Sequence, residues 1–249
     1  MLYRILLPFL CAATLSQAFI TIEPEVIGAK EGAEGELSAG AIYSSGNTDN
    51  QVVSLSAKAQ YDSSNWLTFI IASYSYGEAE GDINTNEGLM HWRYIHSIYD
   101  TLYDWEVFLQ SESNEFQNIH HRDLAGGGLR RRFTGFFDTF YIGLGLFHSH
   151  VEPKDATPED QILNRVKINS YISFKKTFSD NLFVTYLGYY QPNIEDFSDY
   201  SSFQLVQFNT PLIGSLLLSL DLLYRYNATP YEDIEKGDFK STLNLKYSF

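Results

Sequence analysis

The end of the chain alternates strictly between two kinds of side chain. One set is mostly apolar or aromatic and consists of Phe239, Ser241, Leu243, Leu245, Tyr247 and Phe249, and the other is polar and consists of Lys240, Thr242, Asn244, Lys246 and Ser248. Since successive side chains of a β-strand point to opposite faces, a period of two residues predicts a strand with one apolar and one polar face. Such a strand requires an apolar environment on one side only.

Strands of this kind recur along the chain. From the alternation we predict about twelve, at 36–44, 52–61, 66–76, 87–96, 103–113, 122–133, 139–150, 164–177, 182–191, 202–209, 215–227 and 239–249. No apolar run of helix length follows the first 18 residues, and aromatic residues make up 16% of the chain. Because only helices and closed barrels satisfy the backbone in lipid, a membrane-spanning form of this chain must be a barrel with aromatic rings at its two edges.

The links between the predicted strands alternate in length. Short links rich in turn-forming residues lie at 62–65, 97–102, 134–138, 178–181 and 210–214. Generally longer and mostly acidic links lie at 45–51, 77–86, 114–121, 151–163, 192–201 and 228–238. Outer-membrane barrels have tight periplasmic turns and longer outer loops. We therefore predict an all-β fold, a transmembrane antiparallel up-and-down β-barrel of about 12 strands with periplasmic termini. A soluble periplasmic β-sandwich is the alternative.

The first residues have the organisation of a secretory signal peptide. Arg4 gives a positive start, an apolar stretch follows, and residues 16–18 form a small-residue cleavage site. We expect a cleaved signal peptide at 1–18, a short periplasmic segment at 19–34 and an outer-membrane barrel at 35–249. The predicted localisation is the outer membrane of a Gram-negative cell.

Composition limits the cofactors and partners. Cys11 is the only cysteine and lies in the segment expected to be removed, which excludes disulfides and thiolate metal sites from the mature chain. Cys11 leaves lipid attachment as an alternative, although the residues before Cys11 lack the small side chains of a lipid-attachment site. The 31 acidic and 17 basic residues make nucleic acid an unsuitable partner. We expect no cofactor, and we expect outer-membrane lipids, lipopolysaccharide and the outer-membrane assembly machinery as partners, with Tyr247 and Phe249 as the assembly signal.

Charged residues on the polar strand faces are the candidates for the lining of the lumen. They are Arg93, Glu106, Glu112, Arg165, Lys167, Asp221, Arg225, Lys240 and Lys246. A charge at the bilayer midplane costs about 2–4 kcal/mol, so these side chains are expected to point inward. Basic residues outnumber acidic ones among them, and rings of Lys and Arg line anion pores. The predicted function is a narrow channel for small, anionic solutes or a protein of envelope and osmotic stress, and the alternative is a closed structural barrel whose charges pair across the lumen.

Few residues suggest chemistry, and we predict that the protein is not an enzyme. The sequence His148-Ser149-His150 leaves an outer-membrane lipid hydrolase as an alternative, but strand alternation places Ser149 on the face opposite both histidines. A nucleophile needs its base within about 3 Å. His120 and His121 are expected to point apart on a strand and to bind no metal. No catalytic, cofactor or metal residues are predicted.

Two segments carry a family resemblance. The segment 35–40 with the loop Ser45-Gly46-Asn47-Thr48, and the later strand from Arg122 through Gly126-Gly127-Gly128 to Leu129, resemble the salt-induced outer-membrane protein family, also called YdiY-like. The resemblance is clearest over the first half of the mature chain. It implies an outer-membrane β-barrel with no established molecular activity and no catalytic residues to assign. The glycines themselves suit a strand where the backbone bends or another group packs closely.

Overall fold

A computed structural model describes residues 25–44, 50–99, 101–157 and 160–249. The predicted signal peptide, Cys11 and the loop at 45–49 lie outside the described residues. Twelve strands are present: β1 (Gly32–Ser44), β2 (Asn50–Asp62), β3 (Trp66–Ala79), β4 (Asp82–Ser97), β5 (Tyr103–Asn114), β6 (Ile119–Arg132), β7 (Thr139–Pro153), β8 (Leu163–Ser179), β9 (Leu182–Pro192), β10 (Tyr200–Pro211), β11 (Leu216–Asn227) and β12 (Gly237–Ser248). Within these ranges, no helix is both long and apolar enough to cross a membrane.

Each strand pairs with its neighbours in the chain, and the last strand closes on the first. β1 and β12 are antiparallel, with Glu36 opposite Ser248 and Gly40 opposite Asn244. One further rung joins Gly35 and Phe249, whose backbone N–H groups each donate to the other's carbonyl, at 2.8 and 2.9 Å. The predicted all-β, antiparallel, closed barrel of about 12 strands is therefore confirmed.

The outer surface of the barrel is apolar. Side chains on this face include Leu55, Met90, Leu109, Leu129 and Leu144, and the last of these is 64% exposed. Since so many large exposed apolar side chains occur in one belt, the surface suits lipid rather than water. The alternation that predicted the strands therefore separates a lipid-facing set from an interior set.

Aromatic rings lie on the outer surface near both ends of this belt. Near the chain termini, Trp66 stacks on Tyr61 and on Tyr94 with ring centroids 5.3 and 5.8 Å apart. Near the opposite end, Tyr200 contacts Tyr190 and Tyr226 at 5.3 and 5.5 Å. Two such girdles are typical of barrels that span a bilayer, because amphipathic rings favour the interface. The fold is a transmembrane β-barrel.

We call the end of the barrel at which β1 begins and β12 ends the terminal end, and the opposite one the loop end. The links at the terminal end are short, and the loop-end links include the segments 154–162, 193–199 and 228–236. The prediction of a long link at 77–86 was wrong, because β3 and β4 continue to a two-residue turn. Glu80 and Gly81 both have positive φ, 55° and 90°, which is the conformation that a tight hairpin turn needs.

The glycines of β6 and β7 allow two backbones to approach closely. Gly128 lies opposite Gly145, and a Cβ added to Gly145 would lie 2.8 Å from the Gly128 Cα and closer still to the Gly127 carbonyl oxygen. Backbone atoms cannot move aside as the end of a long side chain can. The strand glycines are therefore explained by close packing, as their sequence suggested.

Gly145→Ala is expected to lower the free energy of unfolding by about 1–3 kcal/mol, because the methyl group overpacks this contact. Urea unfolding in lipid vesicles measures the change. Gly88→Ala in β4 is the matched control, since its Cβ would meet nothing closer than the Ser113 Oγ at 3.6 Å. Equal losses in the two variants would contradict the explanation.

Candidate functional site

A cluster of apolar side chains packs on one side of the barrel interior, toward the terminal end. Leu67, Phe69 and Ile71 of β3 and Ile95 of β4 form a buried cluster, and Ile27 from the segment before β1 packs against it. These residues alternate with lipid-facing ones, so the strand period alone places them inside. The interior at this level is a packed core.

A charged and aromatic cluster lies beside this core. The Arg93 Nη2 is 2.5 Å from the Glu106 Oε2, and the side chains are only 5% and 2% exposed. Arg93 also donates to the hydroxyl of Tyr171 at 3.0 Å, and that hydroxyl donates to Glu106 at 2.9 Å. Tyr189 accepts a longer contact from Arg93 at 3.5 Å. The charge pair joins β4 to β5, and the tyrosines extend it across the interior to β8 and β9.

The remaining predicted lumen residues also have their side chains in the interior, and most of them have acidic or amide partners. Glu112 pairs with Arg122, Arg165 and Lys167 with Asp199, Asp221 with Gln207 and Asn244, and Lys240 with Glu87, while Arg225 has electrostatic interactions with Glu112 and Glu87. Lys246 is buried against a cavity described below. The interior charges are therefore largely balanced.

Several members of these pairs were missed by the sequence prediction. Glu87 was placed at the start of a predicted strand and Asp199 in an acidic link, and neither was predicted to line the lumen, yet both are buried and face basic residues. Arg130 donates its Nε to Asp104 at 2.8 Å and lies over the ring of Tyr141. The position of Glu87 and Arg130 on the inward face of the extended strands could have identified these two residues from the sequence. The partners themselves come from distant strands and leave no local pattern.

Asp199, in the link between β9 and β10, holds the loop end together. Burial acts to raise the pKa of its carboxyl, but hydrogen bonds from Thr229 and Asn193 and the charges of Lys167 and Arg165 outweigh burial and bring the pKa below its ordinary value. Thr229 donates to the Asp199 Oδ1 at 2.6 Å. The carboxylate therefore fixes the loop between β11 and β12 to basic residues of β8.

The segment 25–31 enters the terminal end of the barrel. Glu25 pairs with Lys58, and its backbone carbonyl accepts from the Arg130 Nη2 at 3.0 Å. The N–H groups of Gly28 and Lys30 donate to the carboxylate of Asp62 at 2.8 and 3.1 Å. These bonds and the contact of Ile27 with the packed core seat the segment inside the barrel wall.

One cavity lies toward each end of the interior, among the described residues. The terminal-end cavity has a volume of about 500 Å³ and is lined mainly by β1, β2, β11, β12 and the segment that enters there; Lys58, Lys240, Lys246 and Phe249 are among its residues. The loop-end cavity has a volume of about 210 Å³ and is lined by β3 to β11 and the loop at 228–236. Ile71 of the packed core and Arg93 and Tyr189 of the charged cluster contribute to the wall of the loop-end cavity.

The loop between β11 and β12 covers the loop-end cavity. The Tyr231 hydroxyl donates to the Gln161 carbonyl at 3.1 Å, and the Glu232 N–H donates to the Asp160 Oδ1 at 3.0 Å. Asn118 donates to the other oxygen of Asp160 at 2.9 Å. Asp160 thus ties three loops together over this end of the barrel.

His148 and the pair His120 and His121 were considered for hydrolase and metal chemistry. Ser149 is buried inside the barrel, whereas His148 is exposed on the outer face, as alternation predicted. The expectation that His120 and His121 point apart was wrong, because a register shift at this point of β6 brings their rings to 4.2 Å. Within the described ranges no group of three His, Cys, Asp or Glu residues is arranged to hold a metal.

Several solved barrels are similar to this chain. The translocator domain of the autotransporter NalP from Neisseria meningitidis is 10% identical, with 89% of this chain and 90% of that one covered and a TM-score of 0.44. The KdgM porin is 12% identical, with 86% and 99% covered and a TM-score of 0.44. The outer-membrane channel DcaP of Acinetobacter baumannii is 8% identical, with 88% and 96% covered and a TM-score of 0.40.

Sequence comparison gives one family. No curated protein matches the chain. Residues 37–249, which are most of the chain, match the family described as "Protein of unknown function, DUF481". The chain belongs to this family, which is the YdiY-like family that its sequence resembles.

Proposed function

We propose that the protein works in the cell outer membrane as a closed barrel that does not let solutes diffuse freely. In this proposal the chain is exported by a signal peptide at 1–18, both termini face the periplasm, and the barrel begins near residue 35. The part of the 19–34 segment from Glu25 onward serves as a stopper at the periplasmic end. The short links at the terminal end support this orientation, since periplasmic turns are the shorter ones.

One observation carries the proposal: much of the barrel interior is packed with buried side chains. The core around Phe69 and the Arg93–Glu106 pair with Tyr171 lie there, and all of them are buried. Barrels of about eight strands fill with side chains, and wider ones leave a channel only where the interior is not plugged. Here the interior charges pair with one another, as the closed alternative predicts.

The purified protein in a planar lipid bilayer is expected to give no steady single-channel currents, because no continuous aqueous path exists through packed side chains. Conductance recordings at high salt measure this. The sample must first show the heat-dependent gel mobility of a folded barrel, so that an absence of currents cannot be due to unfolded protein. Frequent open-channel events from the full mature chain would overturn the closed-barrel proposal.

A narrow channel for small anions is the second candidate. The loop-end cavity favours it, because six basic side chains and three acidic ones line that cavity. The mature chain lacking residues 19–31 tests the candidate, since this deletion removes the proposed stopper. Channels that prefer chloride to potassium in a salt gradient would support it, whereas cation preference would exclude it.

The proposed partners are lipids, lipopolysaccharide and the assembly machinery of the outer membrane. The exposed aromatic pair Tyr247 and Phe249, whose rings stack at 6.1 Å, is the proposed assembly signal. A role in the envelope under osmotic stress is part of the same proposal. Growth of a strain without the protein at high salt tests that role, and unchanged growth and envelope integrity would exclude it.

A further inference from the structure

We propose that the loop-end cavity is a binding site for a small organic anion that carries hydroxyl groups. This site lies beyond the closed-barrel proposal, because binding requires access from one side only. The residues used here come from β4, β5 and β6, which form part of its wall, and the loop at 228–236 lies above them. Three of the residues that line it each have a buried nitrogen with no hydrogen-bond partner among the described residues: the His91 Nε2, the Arg93 Nε and the Arg122 Nε.

Unpaired nitrogens of this kind indicate a missing ligand group. Buried polar groups in proteins are almost always hydrogen-bonded, because leaving one unpaired is costly. Arg93 and Arg122 each use other nitrogens to hold Glu106 and Glu112, so their carboxylate partners leave the Nε donors free. Both Nε–H groups belong to cations, and such donors form their strongest bonds with a carboxylate or phosphate oxygen.

His91 adds a preference for a hydroxyl group. Its Nδ1 lies 3.1 Å from the Gln110 Oε1, and the Gln110 Nε2 donates to Glu112 at 2.8 Å. This second bond fixes the amide so that its oxygen faces His91, which makes the Nδ1 the protonated nitrogen. The Nε2 of the neutral ring is then an acceptor, and it requires a donor such as an alcohol O–H.

Charge and shape agree with an organic anion. Six basic and three acidic side chains line the cavity, and the acidic partners Glu87, Glu106 and Asp199 lie outside the lining. The ring of Phe108 stacks on His91 with centroids 6.0 Å apart and gives the cavity an apolar wall. A carbon chain can pack on that wall while its charged and hydroxyl groups reach the nitrogens.

Arg130 provides a contrast within the same barrel. Its Nε donates to Asp104 at 2.8 Å and its Nη2 donates to the Glu25 carbonyl at 3.0 Å. It lines neither cavity. The Nε of this arginine thus has a partner in the protein, whereas the Nε atoms of the two arginines at the loop-end cavity have none among the described residues.

The test uses three probes with the folded, full mature chain in detergent micelles. Gluconate carries a carboxylate and hydroxyls, hexanoate has the same number of carbons without hydroxyls, and glucose has hydroxyls without charge. Isothermal titration calorimetry is expected to give the order gluconate, then hexanoate, then glucose, with gluconate at least about tenfold tighter than glucose. Equal affinities for gluconate and glucose, or no binding of gluconate, would overturn the proposal.

Variants locate the site. Arg122→Met is expected to weaken gluconate about tenfold or more, and His91→Phe to remove the preference for gluconate over hexanoate. Gln60→Met is the matched control, because its Oε1 is also buried and unpaired but lines the terminal-end cavity. Loss of binding in the control to the same degree would place the ligand elsewhere.

A measurement on the unaltered chain covers the case in which these variants do not fold. Gluconate is expected to shift the ¹⁵N resonances of the His91 ring. Unchanged His91 resonances at saturating gluconate would overturn the site, whatever the bilayer recordings show.

Discussion

Replacing Glu106 by glutamine is expected to lower the free energy of unfolding of the barrel by about 3–5 kcal/mol, because it leaves the Arg93 guanidinium buried without its counter-charge. The two side chains lie 2.5 Å apart and are almost fully buried. Glutamine keeps the size of the side chain and still accepts from Tyr171, so the change isolates the charge. Urea unfolding in lipid vesicles, followed by tryptophan fluorescence, measures the loss.

Two further variants sharpen this test. Asp138→Asn breaks an ion pair with Lys176 that spans 3.9 Å at the terminal end and is partly exposed to solvent, and it should cost less than about 1 kcal/mol. The double variant Arg93→Met with Glu106→Gln removes both charges and should recover most of the stability. A single Glu106→Gln variant as stable as the original protein would show that Arg93 is not enclosed.

The strands were predictable because their two faces meet different environments. In β8, Val166 and Ile172 face outward while Lys167 and Tyr171 are buried, as the period of two predicts. A one-residue slip would place the charge of Lys167 in lipid, which costs about 2–4 kcal/mol at the midplane. The sequence of each strand therefore determines its register.

The turn between β3 and β4 was not predictable by the same reasoning. Acidic residues such as Glu78 and Asp82 suggested a loop, yet they belong to strand ends that extend the hairpin. At the rim both faces meet water or polar groups, so the alternation fades and no longer distinguishes a strand from a loop. The positive φ values at Glu80 and Gly81 mark the true turn.

The partners of the interior charges were also beyond the sequence. Arg93 contacts Tyr171 and Lys240 faces Glu87, although these residues are far apart in the chain. Which side chains meet inside a barrel depends on the tilt and stagger of the strands. Alternation predicts which residues point inward, but the closure of the barrel determines which of these side chains meet. For this reason an interior that seemed basic in the sequence is largely neutralised in the structure.

Phe249→Ala is expected to remove most of the assembled barrel from the outer membrane of the cell, while the purified variant refolds with little loss of stability. The phenyl ring is 68% exposed and is therefore a minor part of the packing. The backbone rung between Phe249 and Gly35 uses no side-chain atom, so alanine retains both hydrogen bonds. An aromatic residue that matters more in the cell than in the refolded protein is acting as a recognition signal. The proportion of heat-modifiable protein in outer-membrane fractions measures assembly.

Phe239→Ala is the matched control for the terminal aromatic. Phe239 lies on the same face of β12 and is 50% exposed, so its removal costs the barrel a similar contact with lipid. We expect this variant to assemble normally, because the residue is far from the terminal carboxylate. If both variants assemble equally poorly, lipid contact rather than recognition explains the loss. Deletion of Phe249 goes one step further, since it also removes the two hydrogen bonds to Gly35. A refolding defect confined to the deletion would then separate the two contributions of the last residue, the closure of the seam by its backbone and the recognition of its ring.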